Sequence, residues 1–466
     1  MNPCQRFLWR TTRREFLRTV AGAMALTASV GHGASRVPGG QRPHQDAGVE
    51  VLHPCGRVPL SLFIDDSTCL VNLARYAMPQ FAAAWPDKAE YKKDWTGWPR
   101  EIPDSFVREF GEWCAAHGVK GKYSLVPYPA CVGRLDRELP GWPRRKLAAS
   151  LDLVRDLLLP NWDIHPEMVS HTRMIDIRTG RPVPEVSPTA MENWHPGAPR
   201  SADGLAEYIA YALRILKNCG LPCDGVTSPG GFGNGAENAY ALAVRQAVAN
   251  VFKAEVPHYL KYSSATEASC RPRVEHVEGL DTDQPRFVVN VPGATGDWFG
   301  DWTGDAEPQG DRYANADATG GRIVDLIKRG EPAALLCHWP GLYSHGTHRG
   351  FDHCKRVVLA LNTRFGDRTI WLKSSELARY WAARELTRIQ RSPGRVLLTA
   401  PVACPRFTLR VTCETGVRPR LSHHKAPLPL AEARTAAALK PGTWLPHAAS
   451  ATICFDLPRG LTTIEL

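Results

Sequence analysis

From residue 55 onward, short apolar runs alternate with amphipathic stretches, and this alternation limits the fold more than any other feature of the chain. Seven runs read as strands: 61–65 (SLFID), 121–128 (GKYSLVPY), 161–165 (NWDIH), 223–228 (CDGVTS), 286–291 (RFVVNV), 333–339 (AALLCHW) and 369–373 (TIWLK). Runs of this length are strands rather than buried helices. Between them, apolar positions at helical spacing predict helices over 105–118, 145–158, 201–219, 235–252, 318–330, 354–366 and 375–386. The helix over 201–219 has Ser201 as its N-cap and Gly220 as its stop. Strands alternating with helices give a parallel sheet with helices on its faces, so the expected class is α/β. Seven such units predict a closed or nearly closed barrel, with an open doubly wound sheet as the competitor. No GxGxxG or GxxxxGK(S/T) follows any strand, which removes support for dinucleotide and P-loop readings.

The two ends of the chain read differently. TTRREFLR (11–18) places Arg13-Arg14 before Phe16-Leu17, and a small-residue apolar stretch follows. This pattern predicts a twin-arginine export signal over 1–34, hence contact with the twin-arginine export machinery and a periplasmic or secreted destination. Residues 35–55 then read as a flexible lead-in and 56–390 as the barrel. Residues 391–466 alternate with period two between Pro and Gly turns, which predicts a small β-rich domain. The formal charge is +10, and the first 34 residues hold five Arg against one Glu. Basic residues elsewhere are interspersed with acidic ones, so nucleic-acid binding is not expected. No apolar run after the N-terminus is long enough to span a membrane. Of the 13 Cys, Cys404 and Cys413 are candidates for oxidation after export, while Cys219 and Cys223 read as buried thiols.

In a barrel, chemistry gathers where strands end. The first strand ends on Asp65-Asp66, adjacent carboxylates that repel unless each has a partner. One reading is a strand end leading into a helix cap; the other is a site, one carboxylate on a metal and one moving protons. The third tip, WDIHPEMVSH, holds Asp163, His165, Glu167 and His171, and His165, Glu167 and His171 could converge on a metal. The fourth, TSPGGFG, offers Gly230 and Gly231, whose backbone N–H groups could line a pocket or simply form a turn. The sixth ends on His338-Trp339, where a histidine suits a general acid or a satisfied core position. After the fifth strand, GDWFGDW carries Asp297, Trp298 and Trp302, residue types suited to stacking on sugar rings and equally to packing.

The order of these tips resembles the polysaccharide deacetylase superfamily (NodB homology, carbohydrate esterase 4-like) over about residues 57–385. The resemblance implies a distorted (β/α)7 barrel and metal-dependent removal of acetyl groups from a polysaccharide or oligosaccharide. It assigns Asp65 as general base, Asp66 and His171 as ligands of a divalent metal, usually zinc, and His338 as general acid. The second motif departs from the pattern, because Glu167 stands where the first metal histidine belongs; either Glu167 or His165 would fill that place. The third motif has Thr227-Ser228 where an arginine normally orients the catalytic aspartate. Trp339, Asp297, Trp298, Trp302, Gly230 and Gly231 are then the candidates for substrate contact.

Two other classes fit the same residues. A glycoside hydrolase would pair Asp65 or Asp66 with Glu167 or Asp297 across the glycosidic bond, without a metal. A catalytically degenerate carbohydrate-binding protein would tolerate loss of Asp66.

Overall fold

A computed structural model describes residues 37–194 and 201–466. The expected export signal, 1–34, lies outside the described residues. Residues from Val37 to Leu466 form one compact unit, and among the described residues no helix is long and apolar enough to cross a membrane.

The fold is mixed α/β. The seven expected strands form, each within a few residues of its expected bounds; two more join their sheets, a third pairs with the tail, and a short hairpin (Ile175–Asp176 with Arg181–Pro182) is separate. After β1 (Val49–Val51) come β2 (Val58–Asp65), β3 (Gly121–Leu125), β4 (Trp162–Pro166), β5 (Gly225–Thr227), β6 (His258–Leu260), β7 (Arg273–Glu278), β8 (Arg286–Asn290), β9 (Ala333–His338) and β10 (Thr369–Trp371). One parallel sheet runs β9-β2-β3-β4, with β10 paired to the first residues of β2. A second runs β5-β6-β8-β7, with β7 antiparallel. The two sheets are separate ladders. A single parallel bridge, Glu167 with Thr227, crosses from β4 to β5, and Ala294 N–H donates to the Ala334 carbonyl on the other side (2.8 Å). β6, missed in the sequence, is only three residues long and follows Pro257, which breaks the apolar run that would have marked it.

The seven expected helices are present, among them Asp104–Ala116, Ala202–Asn218, Glu237–Phe252 and Arg349–Phe365. Ser201 caps its helix by accepting from Gly204 N–H. Gly220 ends it at φ +74°, a conformation that favours glycine. The helix Leu73–Ala84 was missed because Pro79 lies inside it.

The tail is β-rich: four of its strands form a five-stranded sheet together with β1, and five more form a second sheet. It does not stand apart at residue 391. One apolar cluster contains Phe63, Leu372 and Trp381 together with Ile389, Phe407 and Ile453. The expected flexible lead-in is also corrected from residue 37 onward. Gln41 N–H donates to the Val277 carbonyl and Ile389 N–H to the His44 carbonyl (both 2.9 Å). β1 pairs with Leu409–Val411 in the tail. Val49 and Val51 supply the buried alternation of a strand that is too short to read from sequence.

The parallel register places the chemistry. Asp65 is the partner of His338 across β2 and β9, and Ser124 is the partner of His165 across β3 and β4. Both candidate proton-transfer groups therefore sit at the same end of adjacent strands.

Candidate functional site

Asp66 follows β2 directly at φ +62°. That unusual conformation is held by a hydrogen bond from Asp66 N–H to Glu167 Oε2 (2.8 Å). His171 is reached through a loop, not a helix, with Met168 at φ +48° and His171 itself at φ +64°. Glu192 holds this loop in place. Its Oε2 accepts the backbone N–H groups of Ser170 (2.8 Å) and His171 (2.6 Å), while Tyr208 O–H donates to Oε1.

The loop brings Asp66, Glu167 and His171 together, with one ligand atom from each inside a span of 4.8 Å. His171 Nε2 lies 2.8 Å from Asp66 Oδ1 and 3.5 Å from Glu167 Oε1. The first contact is an ion pair outside hydrogen-bond geometry, and Asp66 Oδ1 and His171 Nδ1 are each buried with no hydrogen-bond partner. An orphaned carboxylate oxygen facing a second carboxylate and an imidazole fits a divalent cation, and the mixed oxygen and nitrogen donors accommodate zinc. Burial alone would depress the His171 pKa, but the charges of Asp66 and Glu167 outweigh it and push it well above the ordinary histidine value. In the absence of a cation, a proton on His171 supplies the positive charge.

Asp65 is nine-tenths buried and its counter-charge is Lys122, which is fully buried. The Lys122 ammonium donates to Asp65 Oδ1, to Ser124 Oγ (2.8 Å) and to Thr227 Oγ1 (3.1 Å), which uses all three of its protons. Ser124 also donates to Asp65 Oδ1 (3.2 Å). Burial raises the Asp65 pKa, and Lys122 is the strongest influence pulling it back. The sequence showed no arginine to orient Asp65; a lysine from the neighbouring strand does so. Lys122 was missed, although a lysine inside an otherwise apolar strand is itself a signal, because lysines are almost never fully buried unless paired.

His338 Nδ1 lies 2.8 Å from Asp297 Oδ2, which also accepts the His338 backbone N–H (3.2 Å). Asp297, expected to contact substrate, instead fixes the ring and directs Nε2 away from itself. Burial opposes protonation of His338, yet the charges of Asp66, Asp297 and Asp65 raise its pKa to about 10.

The structure does not bring His165 to the cation group. It belongs to a second cluster with Asp163 and His258, where the two imidazole Nε2 atoms are 3.0 Å apart. A Cβ on Gly225 would lie 2.6 Å from both nitrogens, so only glycine leaves room for that contact. The Val256 carbonyl, which can only accept, lies 3.2 Å from His258 Nδ1 on the far side of the ring from this contact. Asp163 is tied to Ser375 through N–H (2.6 Å) and Oγ (2.8 Å).

Four expected substrate contacts are also displaced. Trp339 is fully buried against Phe106, Phe110 and Tyr123. Trp298 is buried between Tyr313 and the Arg312 guanidinium. Gly231 N–H is taken by the Asn193 carbonyl, and Gly230 turns there at φ +43°, where a Cβ would lie 2.5 Å from the Asn193 oxygen. Trp302 packs on Phe81 and Tyr91 but stays partly exposed.

No known family profile matches this sequence, and no curated protein does. Among solved structures, a Mycobacterium smegmatis protein described as a polysaccharide deacetylase is 12% identical, with a TM-score of 0.40 over 75% of this chain and 98% of its own. A 4-alpha-glucanotransferase from Thermococcus litoralis is 12% identical, with a TM-score of 0.35 over 69% of this chain and 40% of its own. A mutant of a CE4 family pseudoenzyme with restored activity is 11% identical, with a TM-score of 0.29 over 71% of this chain and 70% of its own. Likeness this distant leaves the chemistry to be argued from the residues themselves.

Proposed function

We propose that this protein is a metal-dependent hydrolase that removes acetyl groups from a carbohydrate. The observation that carries the reading is the convergence of Asp66, Glu167 and His171 around an orphaned carboxylate oxygen, directly beside the Asp65–His338 strand pair. The carbohydrate substrate rests on the resemblance of the strand tips to polysaccharide deacetylases.

A divalent cation, zinc by that resemblance, would be held by Asp66, Glu167 and His171 and would supply Lewis acidity toward an acyl oxygen and a water. Lys122 and Ser124 both bond Asp65 Oδ1, which leaves Oδ2 to take the proton of the attacking water. His338, held by Asp297 and protonated at neutral pH, gives its proton to the departing amine or hydroxyl. Acid and base are thus set apart by environment: a lysine opposes the rise that burial imposes on one carboxylate, and three carboxylates raise one imidazole. The Arg13-Arg14 segment supports export by the twin-arginine pathway to the periplasm or beyond.

Acetate release from an acetylated chitooligosaccharide and from an O-acetylated glycan, before and after chelation, tests the reading. Release that chelation abolishes and added metal restores supports it. Cleavage of the glycosidic bond insensitive to chelator overturns it in favour of a glycosidase. Binding of both glycans with no acetate released, metal restored, overturns it in favour of a degenerate binder.

A further inference from the structure

Cys404 and Cys413, the pair expected to oxidise, flank one extended strand, Cys404–Thr412. Nine residues at about 3.3 Å each separate them by roughly 30 Å, which no disulfide spans. A different pair is in contact. Cys55, in the turn between β1 and β2, has its sulfur 3.8 Å from that of Cys454. Cys454 lies within the tail strand Ser450–Leu457. Both are buried, and with Leu439 they form a small apolar cluster of their own.

The backbone around the pair is fixed from both sides. Cys55 N–H donates to Thr408 Oγ1 (2.9 Å), and Thr408 is the ladder partner of Cys454. Cys55 itself sits at φ +54°, ψ +24°. This is the left-handed region, which a side chain enters at a cost and glycine enters freely. Cys55 is held in that conformation with its sulfur facing Cys454.

We propose that Cys55 and Cys454 form a disulfide that ties the turn before β2 to the C-terminal sheets. The inference is independent of the proposed hydrolase activity. The step is thiol–disulfide exchange with a disulfide oxidant such as glutathione disulfide. The Cys55 thiolate attacks the donor sulfur and releases one reduced thiol, leaving a mixed disulfide. Cys454 then loses its proton, attacks the Cys55 sulfur and releases the second thiol. Two protons and two electrons pass to the donor. Because both sulfurs are buried in the docked state, exchange occurs as the 53–57 turn closes onto the tail. The bond closes a loop across a separation of 399 residues, and long loops gain most from closure in the chain-entropy account. It also braces the base of β2, whose far end carries Asp65 and Asp66.

The full chain is folded with glutathione disulfide, alkylated and digested without reduction. A peptide joining Cys55 to Cys454 is expected, with two of the 13 thiols protected. Dithiothreitol is expected to lower the melting temperature of the wild type by several degrees and to leave C55S/C454S unmoved. The proposal is overturned if the joined peptide is absent, if Cys55 is found linked elsewhere, or if reduction leaves the wild-type melting temperature unchanged. The peptide analysis needs only the wild type and stands if the double variant fails to fold.

Discussion

Replacing Lys122 with Met keeps the volume of the side chain and removes its charge, and the consequences follow from burial. Lys122 is fully buried and the Asp65 side chain is 11% exposed, so water screens the pair poorly. Removing one partner of a buried pair costs about 3–5 kcal/mol while the other stays charged. Asp65 escapes that cost by taking a proton. The sign follows: burial already raises its pKa and Lys122 lowers it, so K122M raises it further. Stability lost in K122M is therefore largest at alkaline pH and shrinks by about 1.4 kcal/mol per pH unit once Asp65 protonates in the variant but not in the wild type. Activity should show the same effect as an acidic limb moved to higher pH, with about a tenfold loss per unit at fixed pH below it. K122M/D65N should recover part of the stability and none of the activity. Urea unfolding from pH 5 to 8 and a pH–rate profile read both. A loss below about 1 kcal/mol at pH 8 with an unmoved acidic limb would refute the assignment of Lys122 as the counter-charge of Asp65.

In metal-stripped protein, His338 should add stability that is full below its unfolded value near 6.5 and is lost as pH rises through about 10; unfolding across that window should flatten in H338Q. Glu192→Ala strands two buried N–H groups, so it should destabilise by about 2–5 kcal/mol and weaken cation binding about 10–100-fold by loosening the His171 loop, as measured by urea unfolding and metal titration. Glu192 itself is raised to about 7 by burial, so its stabilising share fades as pH climbs from 4.5 through 7, and E192Q should erase that slope. His165→Ala should keep full metal stoichiometry in elemental analysis, since His165 faces His258 and not the cation group. Trp339→Ala should cost about 3–5 kcal/mol in unfolding as a core deletion, without a selective rise in KM for glycan.

The strand tips were legible because each ends an apolar run on a residue that an apolar run does not explain: Asp65, Asp66 and His338 stand out against Phe63, Ile64, Leu335 and Leu336. Of the partners, only Lys122 left a signal, a charge inside an apolar strand, and what it pairs with was not legible. Lys122 meets Asp65, and Glu192 meets His171, only after the parallel register and a loop excursion bring distant residues together. His258 was hidden in a three-residue strand behind Pro257. The aromatic residues misled for a different reason. Trp298 and Trp339 follow strand ends, as ligand-binding rings do, but composition carries no information on which way a ring points, and both turn into the core. His165 shares the segment of Glu167 and His171, yet it lies within β4, before the chain leaves the strand at Pro166, and meets His258 of β6 rather than the loop beyond.

The central claim is that Asp66, Glu167 and His171 hold a divalent cation. Elemental analysis of the purified protein, wild type beside His171→Ala, tests it most directly. The account predicts about one zinc or similar ion per wild-type chain and its loss in a variant that still folds. A wild type that takes up no metal even after reconstitution, or a folded His171→Ala that retains a full equivalent, would contradict it.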